Sequence, residues 1–189
     1  MGLCHSEQKL DLFKTFPQYK GAGILFAEDP WVLAGVQKHY SQATVLSGLG
    51  GRREQTDPDW CHTAWREVVE ELFHVDHVPA PLIQELRATM PFRSSPTYSQ
   101  GYVLARLTFD DLTTTLRICK KHRVQTNLYT PFPQTIGDLV LARHPSPTAE
   151  IGALFLLPSN PSLTVAPEFK EDLASLSPLK IDEPLPSLV

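Results

Sequence analysis

Apolar positions along the chain fall into short runs and helical stripes. Residues 21–27 (GAGILFA) and 31–36 (WVLAGV) are apolar runs split by Glu28-Asp29-Pro30, which predicts two strands joined by a tight turn. Residues 43–46 predict a further short strand leading into the glycine-rich turn Gly48-Leu49-Gly50-Gly51. Between 62 and 73, Ala64, Val68 and Leu72, together with Trp65 and Val69, recur at helical spacing and predict a helix. Pro79 and Pro81 interrupt the chain, and residues 82–89 predict a second helix. Residues 100–107 (QGYVLARL) predict a strand. Asp110-Asp111 suit the first turn of a helix that runs to about Lys121, because carboxylates favour the free amides and positive dipole there. Residues 139–142 and 151–157 are two more strand candidates, with Pro145 and Pro147 between them. Residues 167–176 predict a short helix opened by Pro167, and 181–189 predict a tail.

Length and composition bound the answer. The 189 residues suffice for one domain with a sizeable core. A hydrophobic share of 42% with 20% charged residues excludes wholesale disorder. Ten of the 17 prolines fall from Pro131 onward, so the last third is expected to be loop-rich. The net charge of −4 excludes a strongly basic nucleic-acid coat but leaves local patches. Arg52-Arg53 and the group Lys120, Lys121 and Arg123 are candidate RNA or phosphate contacts. The plainer reading of the second group is a solvated helix end that complements the dipole.

No apolar run is long enough to span a bilayer, and the start lacks the apolar core of a secretory signal. Three cysteines, Cys4, Cys61 and Cys119, are an odd and widely spaced set, so a reducing, cytoplasmic setting is expected. Met1-Gly2-Leu3-Cys4-His5-Ser6 fits the acylation pattern M-G-x-x-x-[ST]. Myristoylation at Gly2 with a second acyl chain at Cys4 would make the protein membrane-peripheral; an unmodified arm over 1–15 is the alternative.

The chemistry concentrates in residues 50–73 (GGRREQTDPDWCHTAWREVVEELF). On a helix, Glu67, Glu70 and Glu71 are related by i, i+3 and i+4 and project from one side. Like charges so placed repel, and a hard divalent cation reverses that balance. Arg66 can orient one carboxylate through a bidentate pair. The glycines permit a close backbone approach that a side chain would block, bringing a carbonyl to a metal or leaving room for a diphosphate.

In this order and spacing the segment resembles the Nudix hydrolase family, whose signature is G-x5-E-x7-R-E-U-x-E-E-x-G-U with U a bulky aliphatic residue. Arg66 to Glu71 (REVVEE) matches it in full, and Gly51 with Asp57 fits its opening, Asp standing for Glu. Two departures stand out. Eight residues rather than seven separate Asp57 from Arg66, and Phe73, followed by His74, replaces the glycine after the glutamates.

The resemblance implies an α/β fold of Nudix type, an α/β/α sandwich with a mixed sheet over 16–165. A short helix and proline-containing tail would follow over 166–189. It implies a Mg2+- or Mn2+-dependent pyrophosphohydrolase that acts on a nucleoside diphosphate linked to another moiety, with a small nucleotide as the leading substrate. Glu70 and Glu71 would hold metal, Glu67 would be a ligand or the base that orients water, and Arg66 would position a carboxylate. Gly51, or else Gly50, would lend a carbonyl to the metal, and Glu150 would be a further ligand or base.

An mRNA-decapping enzyme acting on capped RNA is the alternative within the class. A non-catalytic nucleotide-binding module is the alternative outside it. A homodimer is a further expectation drawn from the family. Cys61-His62 with His74 and His77 fits no compact zinc spacing. Tyr98, Tyr102, Tyr129 and Phe132 are candidate nucleobase contacts, with aromatic core as the default reading.

Overall fold

The computed structural model of the chain describes residues 16–38, 44–90, 92, 95–159, 165–174 and 176. Gly2, Cys4 and the tail over 181–189 lie outside the described residues. The described part is an α/β structure built on a seven-stranded mixed sheet.

Strand β1 (Gly21–Glu28) is its axis. Along one edge β1 runs parallel to β6 (Tyr102–Leu107). Along the other its first half pairs with β4 (Leu49–Arg52) and its last residues pair with β2 (Trp31–Lys38), both antiparallel. Strand β2 in turn holds β3 (Thr44–Ser47) on one edge and β7 (Ile151–Pro158) on the other. The short β5 (Thr97–Ser99) extends the sheet beyond β6.

The unbroken apolar run of β1 follows from burial on both faces. Ala22, Ile24 and Phe26 join a large core with α1 (Trp60–Phe73), α2 (Ala80–Thr89), α3 (Phe109–Lys121) and Leu139 of α4 (Ile136–Leu141). Leu25 and Ala27 face a smaller core closed by Phe169 and Leu173 of α5 (Pro167–Ala174). Helices therefore pack against both faces of the sheet. No described helix is long and apolar enough to cross a membrane.

Three local expectations change. Residues 49–52 are not a turn but β4, whose glycines let it lie close against β1. Residues 139–142 belong largely to a helix, not a strand. Thr135 caps α4 by accepting from the Asp138 amide at 3.0 Å, and Asp138 accepts in return from the Thr135 amide at 3.0 Å. That reciprocal cap overrides the β-prone run Leu139-Val140-Leu141, and Leu141 is left 86% exposed. The strand expected from Gln100 begins at Tyr102, because Gln100 and Gly101 form the two-residue turn of a β5–β6 hairpin, both with positive φ (50° and 91°).

Candidate functional site

Helix α1 presents its chemistry to β4. Asp59 caps it by accepting from the His62 amide at 2.9 Å. Trp60, Ala64, Trp65, Val68, Val69, Leu72 and Phe73 are buried and fasten it to the sheet. The left-handed residue at its end is His74 (φ 52°), one position after the glycine that the signature places there. Phe73 stays helical and buried, stacked on Phe132 at 4.9 Å and edge-on to Tyr129.

Arg66 is the hub of the first half of the site. Its Nε donates to Asp57 Oδ1 at 3.2 Å and its Nη2 to Asp57 Oδ2 at 3.0 Å, a bidentate pair. Nη2 also donates to the Arg52 carbonyl at 2.8 Å. Nη1 donates to Glu70 at 2.8 Å and lies 3.0 Å from a Glu67 oxygen. Asp57 is 2% exposed and also accepts from the Glu54 amide and the Thr63 hydroxyl at 2.9 and 2.8 Å. Burial pushes its carboxyl up, but the bonds from Arg66, Glu54 and Thr63 outweigh it and hold the group below the usual carboxylate range. The pair thus forms across the eight residues that separate Asp57 from Arg66.

The second half is less satisfied. Glu71 is buried, and its Oε2 accepts from the Gly50 amide at 2.7 Å. Burial pushes its carboxyl well up; Glu67 and Glu150 push the same way, against the Gly50 amide and Arg143. The Glu67 carboxylate lies where a Cβ on Gly51 would be, so glycine is required there for the approach. Burial, with Glu70 and Glu150 adding to it and Arg66 opposing, raises Glu67 to about 7. Glu70 is raised as well, by burial against the pull of Arg66.

Glu67, Glu70 and Glu71 line a cleft of about 190 Å³ with His74, Thr148 and the exposed Glu150. The structure therefore brings together all four glutamates singled out from the sequence.

Among the described residues no group of three His, Cys, Asp or Glu side chains forms a ready-made metal cage. The donor chemistry nevertheless fits a hard cation. Carboxylates crowd a partly buried cleft, three of them at raised proton affinity, and Mg2+ is commonly held by one or two carboxylates, with water and phosphate completing its shell.

The register refines the backbone donor. The Arg53 amide donates to the Lys20 carbonyl at 2.9 Å, which sets the phase of the β1–β4 ladder. Bonded and non-bonded pairs alternate, so the Gly51 carbonyl faces β1 whereas the polar groups of Gly50 face outward.

The other candidates lie elsewhere. Lys120, Lys121 and Arg123 do not line the cleft, and Lys121 pairs with Glu85 of α2 at 2.7 Å. The Arg53 guanidinium stacks 4.5 Å from the Tyr19 ring centroid. Tyr98 stacks on Phe16, whereas Tyr129 packs on Phe73, so these aromatics do not form one pocket. Cys61 and Cys119 are buried free thiols.

Sequence reasoning missed Arg143. It bonds the carbonyls of Glu71, Leu72 and Ile151 and the Tyr129 hydroxyl. An isolated cation in a proline-rich stretch has no spacing that would reveal such a role.

No protein-family model matches the chain, and no match was found among curated proteins.

Proposed function

We propose that the chain is a Mg2+- or Mn2+-dependent hydrolase of the Nudix class. On this reading it cleaves the diphosphate of a nucleoside diphosphate linked to another moiety, a small nucleotide being the favoured substrate. The observation that carries the reading is the convergence of Glu67, Glu70, Glu71 and Glu150 on one cleft, three of them with raised proton affinity. A mixed sheet whose axial strands pack against α1 is consistent with the fold the resemblance implies.

In this account Glu70 and Glu71 hold the cation, with Glu67 and the outward carbonyl of Gly50 beside them. When bound, the cation supplies the positive charge that binds the diphosphate and stabilises the departing oxygen. Glu67, which lines the same cleft, is placed to take the proton of the attacking water. The water oxygen bonds to phosphorus, the anhydride P–O bond breaks, and the leaving phosphate retains that electron pair. Arg66 keeps Glu67 and Glu70 in fixed orientation, and Glu150 faces them across the cleft.

The test is Mg2+- and Mn2+-dependent product release from NTPs, ADP-ribose, NADH, CoA, a diphosphoinositol phosphate and capped RNA, with Glu71→Gln in parallel. Turnover of a small nucleotide that disappears in Glu71→Gln supports the reading. Turnover of capped RNA alone moves the substrate to RNA. A folded, metal-supplemented protein that leaves every substrate intact contradicts hydrolysis and favours a nucleotide-binding module.

A further inference from the structure

The acidic cleft has two walls from distant parts of the chain. One is the C-terminal half of α1, which carries Glu67, Glu70 and Glu71. The other is the segment 148–150, which carries Glu150 into β7. Two side-chain links cross between them.

On the outer side, His74 Nε2 and Thr148 Oγ1 are 2.9 Å apart. On the inner side stands Arg143. Its Nη2 donates to the Glu71 carbonyl at 2.9 Å and to the Ile151 carbonyl at 2.8 Å. Its Nη1 donates to the Leu72 carbonyl at 2.7 Å and to the Tyr129 hydroxyl at 2.8 Å. The Tyr129 hydroxyl itself donates to the Leu139 carbonyl of α4 at 3.1 Å. One guanidinium therefore joins the backbone of Glu71 to the backbone of the residue after Glu150. A planar fork with several fixed donors can do this, whereas a single ammonium cannot satisfy the same set of acceptors.

We propose that Arg143 is a positioning residue that sets the separation between Glu71 and Glu150 across the cleft, an inference that rests on the hydrolytic reading above. A plain helix-end cap would also use a cation at the last carbonyls of α1. It would not require the bond to Ile151, which belongs to the opposite wall. The additional bond links the two carboxylate-bearing segments rather than merely closing a helix.

The experiment is a double-mutant cycle in the full chain, pairing Arg143→Lys with Glu150→Gln, read as kcat and KM and as Mn2+ affinity by calorimetry. Arg143→Lys is expected to lower kcat about 10- to 100-fold with little change in KM, the scale of loss that follows a displacement of about 1 Å in a catalytic array. The double variant is expected to be no slower than Glu150→Gln alone, because the lysine variant acts through the placement of Glu150. Tyr129→Phe removes one Arg143 acceptor while keeping the ring that packs on Phe73, and a smaller fall in kcat at unchanged KM is expected. It keeps the proposal testable where Arg143→Lys does not fold.

Independent, multiplicative losses in the cycle, or full kcat in Arg143→Lys and Tyr129→Phe, overturn the inference and leave the hydrolytic reading standing. A wild type that neither binds Mn2+ nor turns over any substrate overturns both.

Discussion

Two groups of charges gathered at one helix are handled in opposite ways. Between Arg66 and Asp57 the charges are answered: Asp57 takes a bidentate guanidinium, an amide and a hydroxyl, and its carboxyl is held low. Five residues on, Glu71 is buried on one backbone amide with Glu67 and Glu150 nearby, and its carboxyl is held high. A buried charge that is paired and hydrogen-bonded is a fastener, whereas one left short of partners is stable only with a proton or a cation. The first group does structural work: it ties the loop after β4 to α1 and fixes how the second group faces the cleft. The second group is the one that added positive charge would relieve.

The contrast can be broken from either side. The largest effect is expected at Glu71. Glu71→Gln keeps an acceptor for the Gly50 amide but removes the charge, so turnover should fall by about a thousand-fold or more, the scale of losing a principal electrostatic element of an active site. The metal-free melting temperature of that variant should equal or exceed the wild-type value.

Arg66→Met should act on stability as well as on turnover, since Arg66 holds Asp57 and also orients Glu67 and Glu70. It strands Asp57 in the interior, at an expected loss of about 3–5 kcal/mol in urea unfolding, as for other buried pairs broken at one partner. Gly51→Ala sharpens the contrast further, since its Cβ would collide with the Glu67 carboxylate. The expected result is a fall of about 10- to 100-fold in kcat, larger in proportion than the loss of stability.

The smallest effect is a pH dependence. Glu67 rises from 4.5 to about 7 on folding, so the metal-free folded chain binds protons that the unfolded chain has released. Its contribution to stability is fully present below about 4.5 and is lost as pH rises through about 7. Melting curves in a chelator should therefore decline across that window, and Mg2+ should restore the loss above it.

Much of this was legible in the sequence, for physical reasons. The helix bearing Glu67, Glu70 and Glu71 combines helical apolar spacing with an acidic stripe, and both features are local. Strands β1, β2 and β7 are apolar runs, and β1 is legible because both its faces are buried. The misreadings have different causes, some in distant partners and some in short local signals. Gly50 and Gly51 resemble a turn until β1 lies beside them. Leu139-Val140-Leu141 resembles a strand until the Thr135–Asp138 cap is noticed. The three-residue β5 is exposed throughout and carries no alternation to detect. Arg143 acts across a span of 72 residues to Glu71, beyond the reach of any local pattern.

The most direct test of the central claim is calorimetric titration of Mn2+ into the metal-free protein near pH 7, in buffers of different ionisation enthalpy, for wild type and Glu71→Gln. The account predicts one or more Mn2+ ions bound by the wild type with release of protons from the crowded carboxylates, and much weaker binding by Glu71→Gln. Wild type that takes up no Mn2+, or binds it as well after Glu71→Gln with no proton released, would contradict it.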